Sequence, residues 1–131
     1  RPYPVPLAWY LDGIANASRG EPLVVAGSML ARWTPAQIAL REQWLPTCDT
    51  TAIAEAWRSF HEEDMHALLP AVRCRTLLMC AGNGDTVLPE EEREIVAALG
   101  DGRSVRIANV GHMIPWDDLD AFVAAVRSFV G

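Results

Sequence analysis

The sequence predicts an α/β fold built on two parallel strands, and three observations carry that prediction. Prolines and capping residues punctuate the first half like a run of short helices, residues 76–81 form a continuous apolar run of strand length, and a strand, helix, strand, helix order follows to the end. A continuous apolar run suits a parallel strand buried on both faces, because a half-exposed strand would alternate.

The helical half is built as follows. Pro2, Pro4 and Pro6 precede a helix over Leu7 to Ala17 that stops around Gly20. Glu21-Pro22 starts another that reaches about Trp33, since proline is tolerated in a first turn. Thr34-Pro35-Ala36-Gln37 is a near capping box: Thr34 caps, Pro35 takes the first helical position and Gln37 follows three residues after the cap. That helix ends by Pro46. Asp49 or Thr50 caps the next, where Ile53, Trp57 and Phe60 recur at helical spacing, and a short segment from Asp64 to Leu69 finishes at Pro70. The change of character places a boundary between residues 1–70 and 71–131.

After it, Thr76 to Ala81 is the first strand, ended by Gly82-Asn83-Gly84. Pro89 opens a helix whose first-turn acids, Glu90 to Glu92, are favoured by the helix dipole and expected to face solvent. It runs to Leu99 and stops at Gly100. Ser104 to Ala108 is the second strand. Asp117 or Asp118 opens the last helix, with Leu119, Phe122, Val123, Val126 and Phe129 on one apolar face. Two strands and two helices cannot cover both faces of a parallel sheet. The chain, which starts at Arg1 on a proline-rich stretch without Met, is therefore expected to be a piece of a longer protein, and aggregated or molten when expressed alone.

Composition excludes several function classes. At 131 residues the chain is one domain's worth, and 17 acids against 11 bases give a net charge of −6 with no basic run, so nucleic acid is not an expected partner. No apolar stretch approaches the ~18–20 residues of a membrane span, and the first residues lack the order of a signal peptide; no membrane partner and a cytoplasmic location are expected. Cys48, Cys74 and Cys80 are scattered without a C-x-x-C, which argues against a disulfide framework or structural zinc and for small core hydrophobes. His61 and His66 are five apart, not the four that would align them on one helical face for a metal. Gly82-x-Gly84 lacks a third glycine at Val87, so it is no dinucleotide fingerprint. No cofactor and no metal are expected.

Chemistry is expected beyond the carboxyl ends of the strands, where open α/β sheets bind ligands. The turn Gly82-Asn83-Gly84 delivers Asp85 to that edge, and Ala108-Asn109-Val110-Gly111 delivers His112, with Gly111 expected to adopt a backbone conformation other residues resist. If the strands are neighbours ~4.8 Å apart, Asp85 can accept a hydrogen bond from one ring nitrogen of His112. The other nitrogen is then an acceptor, as a general base requires.

The run Leu77 to Asp85, followed by a helix, a strand and Gly111-His112-Met113, resembles the C-terminal part of an α/β-hydrolase fold protein. The resemblance implies that residues 1–70 are a helical cap, that 71–131 are the last two strands of the core with their helices, and that an N-terminal segment absent from this chain completes the sheet. It implies a serine-dependent hydrolase cleaving an ester or amide bond of a small-molecule substrate, with His112 as the catalytic base and Asp85 as the triad acid. Some members take the acid from the strand just before the cap, which would leave Asp85 a structural role. None of Ser18, Ser28, Ser59, Ser104 or Ser128 sits in a G-x-S-x-G elbow. The nucleophile and oxyanion-hole donors are thus expected on the missing N-terminal half. The stretch Gly111 to Asp118 is most similar to the N-formylmaleamate deformylase branch, which cleaves an N-formyl amide and favours the upstream acid. The rival class is a non-catalytic binding module of the same fold. Trp9, Trp33, Trp44 and Trp57 cluster in the first half, where a cap's aromatics line a substrate pocket as well as pack helices. Trp116, four residues after His112, either shields the catalytic edge or packs as a stop against the last helix.

Overall fold

Residues 5–25, 28–84 and 86–131 are described by the structure, a computed structural model. The chain divides into two units, Arg1–Glu63 and Asp64–Gly131.

In the first unit, α1 (Leu7–Ser18) ends on Gly20, whose φ of 75° is the left-handed conformation glycine adopts freely. The expected helix from Glu21 to Trp33 does not form. Pro22 has no amide to donate, and the Leu23 amide donates instead to the Glu42 carboxylate at 3.1 Å, holding residues 21–25 outside any helix. A single 3-10 helix, Met29–Arg32, follows, its first turn capped by Ser28. α2 (Pro35–Trp44) carries the capping box in full: Thr34 Oγ1 accepts from the Gln37 amide and the Gln37 side chain accepts from the Thr34 amide at 2.7 Å. A 3-10 turn, Leu45–Thr47, leads to α3 (Thr50–Glu62), capped by Asp49 through the Ala52 amide at 2.9 Å. Ile14, Leu30, Trp33 and Leu45 are buried. Ile53 and Trp57 are half-buried, whereas Phe60, expected on the same face, is 75% exposed.

In the second unit, a 3-10 helix, His66–Ala71, precedes β1 (Thr76–Ala81), α4 (Pro89–Ala98) and β2 (Gly102–Ile107). That 3-10 helix packs on α4. β1 and β2 pair in parallel, Thr76 opposite Gly102 and Ala81 opposite Ile107. β2 thus starts earlier than expected, at the glycine that lets the chain leave α4: a Cβ on Gly102 would sit 2.6 Å from that of Leu99. A short helix not foreseen from the sequence, α5 (Ile114–Asp117), precedes α6 (Leu119–Val130), whose N-cap is Asp118. The core is Ile107, Val110 and Ile114, with Met79, Ala81, Ala121, Phe122 and Ala125 packed on it. Leu119, expected on the apolar face, is 60% exposed in the first turn. Of the cysteines, Cys80 is a buried core residue, Cys48 is half-buried and Cys74 is exposed.

Candidate active site

The two strand ends are stitched together beyond the sheet. The Gly82 amide donates to Ile107 O at 2.7 Å and the Asn83 amide to Val110 O at 2.9 Å, continuing the parallel pairing into both loops. This approach demands glycine: a Cβ on Gly82 would lie 2.6 Å from Ile107 O and 2.9 Å from Ala108 Cα. A Cβ on Gly84 would come within 3.8 Å of the His112 amide nitrogen, so the turn after β1 runs beside the His112 loop. Asp85 itself lies outside the described residues.

His112 stands on a loop held from both sides. Val110 is 2% exposed and anchors the loop in the core, while the Gly111 amide donates to Asp117 Oδ2 at 2.6 Å. The His112 side chain is exposed, and its ring makes no hydrogen bond among the described residues. The left-handed residue of this loop is Asn109, with φ 60°, and not Gly111 as expected. Gly111 is needed for a different reason: a Cβ there would meet Asp117 Oδ2 at 3.0 Å. Asp117 Oδ1 is buried without a hydrogen-bond partner among the described residues, so the carboxylate faces the loop with one oxygen engaged.

Arg106, on β2, braces the other loop. Its guanidinium donates to Ala81 O at 2.8 Å and Val87 O at 3.1 Å, the carbonyls that bracket residues 82–86, and to Glu92 Oε2 at 2.5 Å. Glu92 therefore turns inward, against the expectation that the whole first-turn acid run faces solvent. Its side chain is 14% exposed and that of Arg106 26%. The Ser104 side chain first, and then Arg106, hold the Glu92 carboxyl below its ordinary value, while burial opposes them. Burial, reinforced by the nearby Glu92 charge, pushes the Cys80 thiol up, which keeps it protonated and unreactive.

Sequence reasoning singled out His112 but not the residues that hold the two loops. Asp117 was visible only as a possible helix opener, although an acid five residues after a loop histidine is placed to cap that loop's backbone. Arg106 was visible as a charge inside a parallel strand, which requires a partner when buried. In the first unit the His61 ring stacks on Trp57 at 3.9 Å with Nδ1 on Trp57 O, and in the second His66 lies beside Asp64 and Glu94. No helix among the described residues is long and apolar enough to cross a membrane.

No family model matches the sequence. Over 130 residues the chain is 44% identical to N-formylmaleamate deformylase from Pseudomonas putida, covering 99% of this chain and 48% of that protein. The crystal structure of N-formylmaleamic acid deformylase from Pseudomonas putida S16, in a variant with one serine replaced by alanine, superposes with a TM-score of 0.84 at 36% identity, covering 96% of this chain and 50% of that one. An alpha/beta hydrolase enzyme from a deep-sea metagenome library of the Medee basin superposes with a TM-score of 0.57 at 21% identity, over 95% and 50% of the respective chains. The chain spans about half the length of the relatives it matches.

Proposed function

We propose that this chain, the C-terminal half of an α/β-hydrolase fold protein, supplies the histidine base of a serine hydrolase acting on an ester or amide bond of a small molecule. The observation that carries the proposal is His112, exposed at the carboxyl edge of a parallel strand pair on a loop fixed by Val110 and Asp117. A base must be held in place while its ring stays open to a reacting group. The similarity to two proteins named for N-formylmaleamate or N-formylmaleamic acid supports an N-formyl amide as the bond cleaved.

In this reading a serine from the half of the protein preceding this chain attacks the carbonyl carbon. His112 takes the hydroxyl proton, passes it to the departing amine or alcohol, and then activates the water that releases the acyl group. Asp85, or an acid preceding this chain, fixes the tautomer. Residues 1–70 act as the cap over the substrate, and no cofactor takes part.

The test is kinetic and uses the full-length protein with an N-formyl amide substrate. His112→Ala is expected to lower kcat by roughly 10³-fold or more, with little change in melting temperature. Asp85→Asn is expected to cost orders of magnitude if Asp85 is the triad acid, and less than about tenfold if the acid lies upstream. Near-wild-type kcat in His112→Ala would sink the assignment, and a full-length protein without any hydrolytic turnover would leave the binding-module reading.

A further inference from the structure

The first unit carries an open cavity of about 530 Å³, within the ~300–1,000 Å³ range of small-molecule sites. Its walls are mainly apolar, with Trp9, Ile14, Leu23, Leu30 and Trp44 among the lining residues. Arg41, from α2, is the one cationic residue in that lining among the described residues. Among the described residues no carboxylate lies within ion-pairing distance of its guanidinium. The neighbouring Glu42 is engaged by the Leu23 amide, and the other charged lining residue, Asp12, makes no ion pair with it. The guanidinium lies over the buried Trp33 ring, 5.7 Å from its centroid, a cation–π contact that fixes its position without neutralising it.

The electrostatics point the same way. Burial pulls the Arg41 pKa down, as expected of a cation losing water, while Cys48 and Tyr10 act in the opposite direction. A half-desolvated cation with no counter-charge is unfavourable by itself, and an anion entering the cavity would offset that cost. Arginine's planar fork matches the two oxygens of a carboxylate. Apolar, aromatic walls around that fork suit the carbon skeleton of an organic anion.

We propose that this cavity binds a small organic carboxylate, its anionic group held by Arg41 and its carbon skeleton against Trp9 and Trp44. Identifying that carboxylate with the class of substrate cleaved rests on the hydrolase proposal above, whereas the anion site stands on the cavity alone.

Because Trp9 and Trp44 form part of the wall, ligand entry is readable as a change in tryptophan emission. The full-length protein is titrated with maleate and, in parallel, with dimethyl maleate, which keeps the skeleton and removes the charge. Maleate is expected to act saturably and at least about tenfold more tightly than the diester. Arg41→Gln is expected to remove that preference by weakening maleate alone; Arg41→Lys, which keeps the charge and loses the fork, is expected to fall between. Equal affinity of the unaltered protein for maleate and its diester overturns the proposal, and so does a folded Arg41→Gln protein that binds maleate as before. The comparison of the two ligands on the unaltered protein holds even if Arg41→Gln fails to fold. Repeating the maleate titration on His112→Ala separates the two proposals. Charge-selective binding without any hydrolysis by the unaltered protein sinks only the hydrolase reading, and hydrolysis with charge-blind binding sinks only the anion site.

Discussion

The Gly111 amide donates to the Asp117 carboxylate at 2.6 Å, one residue before His112 in the chain. Asp117 ends α5, so a helix that follows the loop reaches back and fixes the peptide from which the imidazole projects. Without that acceptor the Gly111 amide, part-buried, would have no partner, a defect of ~1–3 kcal/mol. Asp117→Ala in the full-length protein is therefore expected to lose about that much stability and to lower kcat more than it raises KM. Asp117→Asn keeps an oxygen that can accept and is expected to recover most of the loss. Denaturant titration and steady-state kinetics check both; an unchanged kcat in the alanine variant would deny the loop any dependence on this bond.

Two glycine-to-alanine substitutions are expected to act in opposite directions. At Gly82 the new methyl would be 2.6 Å from Ile107 O, a backbone atom that cannot move without breaking the register of the strand ends. A loss of at least ~2 kcal/mol is expected. At Gly13, inside α1, nothing lies within 4 Å of the new methyl, because the position borders the open cavity. There the helix gains and the protein is expected to be stabilised by roughly 0.5–1 kcal/mol. Equal effects in thermal melts of the two variants would contradict the geometry.

Thr34 and Gln37 form a reciprocal pair at the start of α2. Thr34→Ala is expected to cost ~0.5–2 kcal/mol. Adding Gln37→Ala should cost less than the sum of the single changes, because each side chain caps an amide of the other residue. Strict additivity in the double-mutant cycle would show that the two bonds act independently.

The parts of the fold that were legible in the sequence are those fixed by local chemistry. Thr76–Ala81 is strand because six apolar or β-favouring residues stand between turn residues, and α2 begins where its capping box says. The place of His112 beyond the end of β2 was legible because glycine and histidine together follow a strand-like run. The segment 21–33 was not, because Pro22 is equally at home in a first helical turn and in extended chain; the choice was made by Glu42, distant in sequence, taking the Leu23 amide. Asn109 and Gly111 exchanged roles for a similar reason. The positive φ went to asparagine, and glycine was required by the close approach of Asp117, which no local pattern records.

Arg106 and Glu92 give the last prediction. The guanidinium ties Ala81 O and Val87 O together, and Glu92 is its counter-charge. The folded-state pKa of Glu92 is depressed from its ordinary 4.5, first by the Ser104 side chain and then by Arg106. A depressed carboxyl pKa contributes stability that is fully present above the unfolded value and is lost as pH falls through the folded one. Glu92→Gln removes this dependence, so the stability gap between the unaltered protein and the variant is expected to be constant from pH 7 to about pH 5 and to shrink below pH 4.5. Arg106→Met instead strands a mostly buried carboxylate and two carbonyls at neutral pH. Its expected cost is about 2–3 kcal/mol, less than the ~3–5 of a fully buried pair because the arginine retains some water. Urea titrations of the full-length protein from pH 3 to 7 decide the matter: a gap for Glu92→Gln that does not change with pH would mean that this carboxyl titrates alike in the folded and unfolded protein.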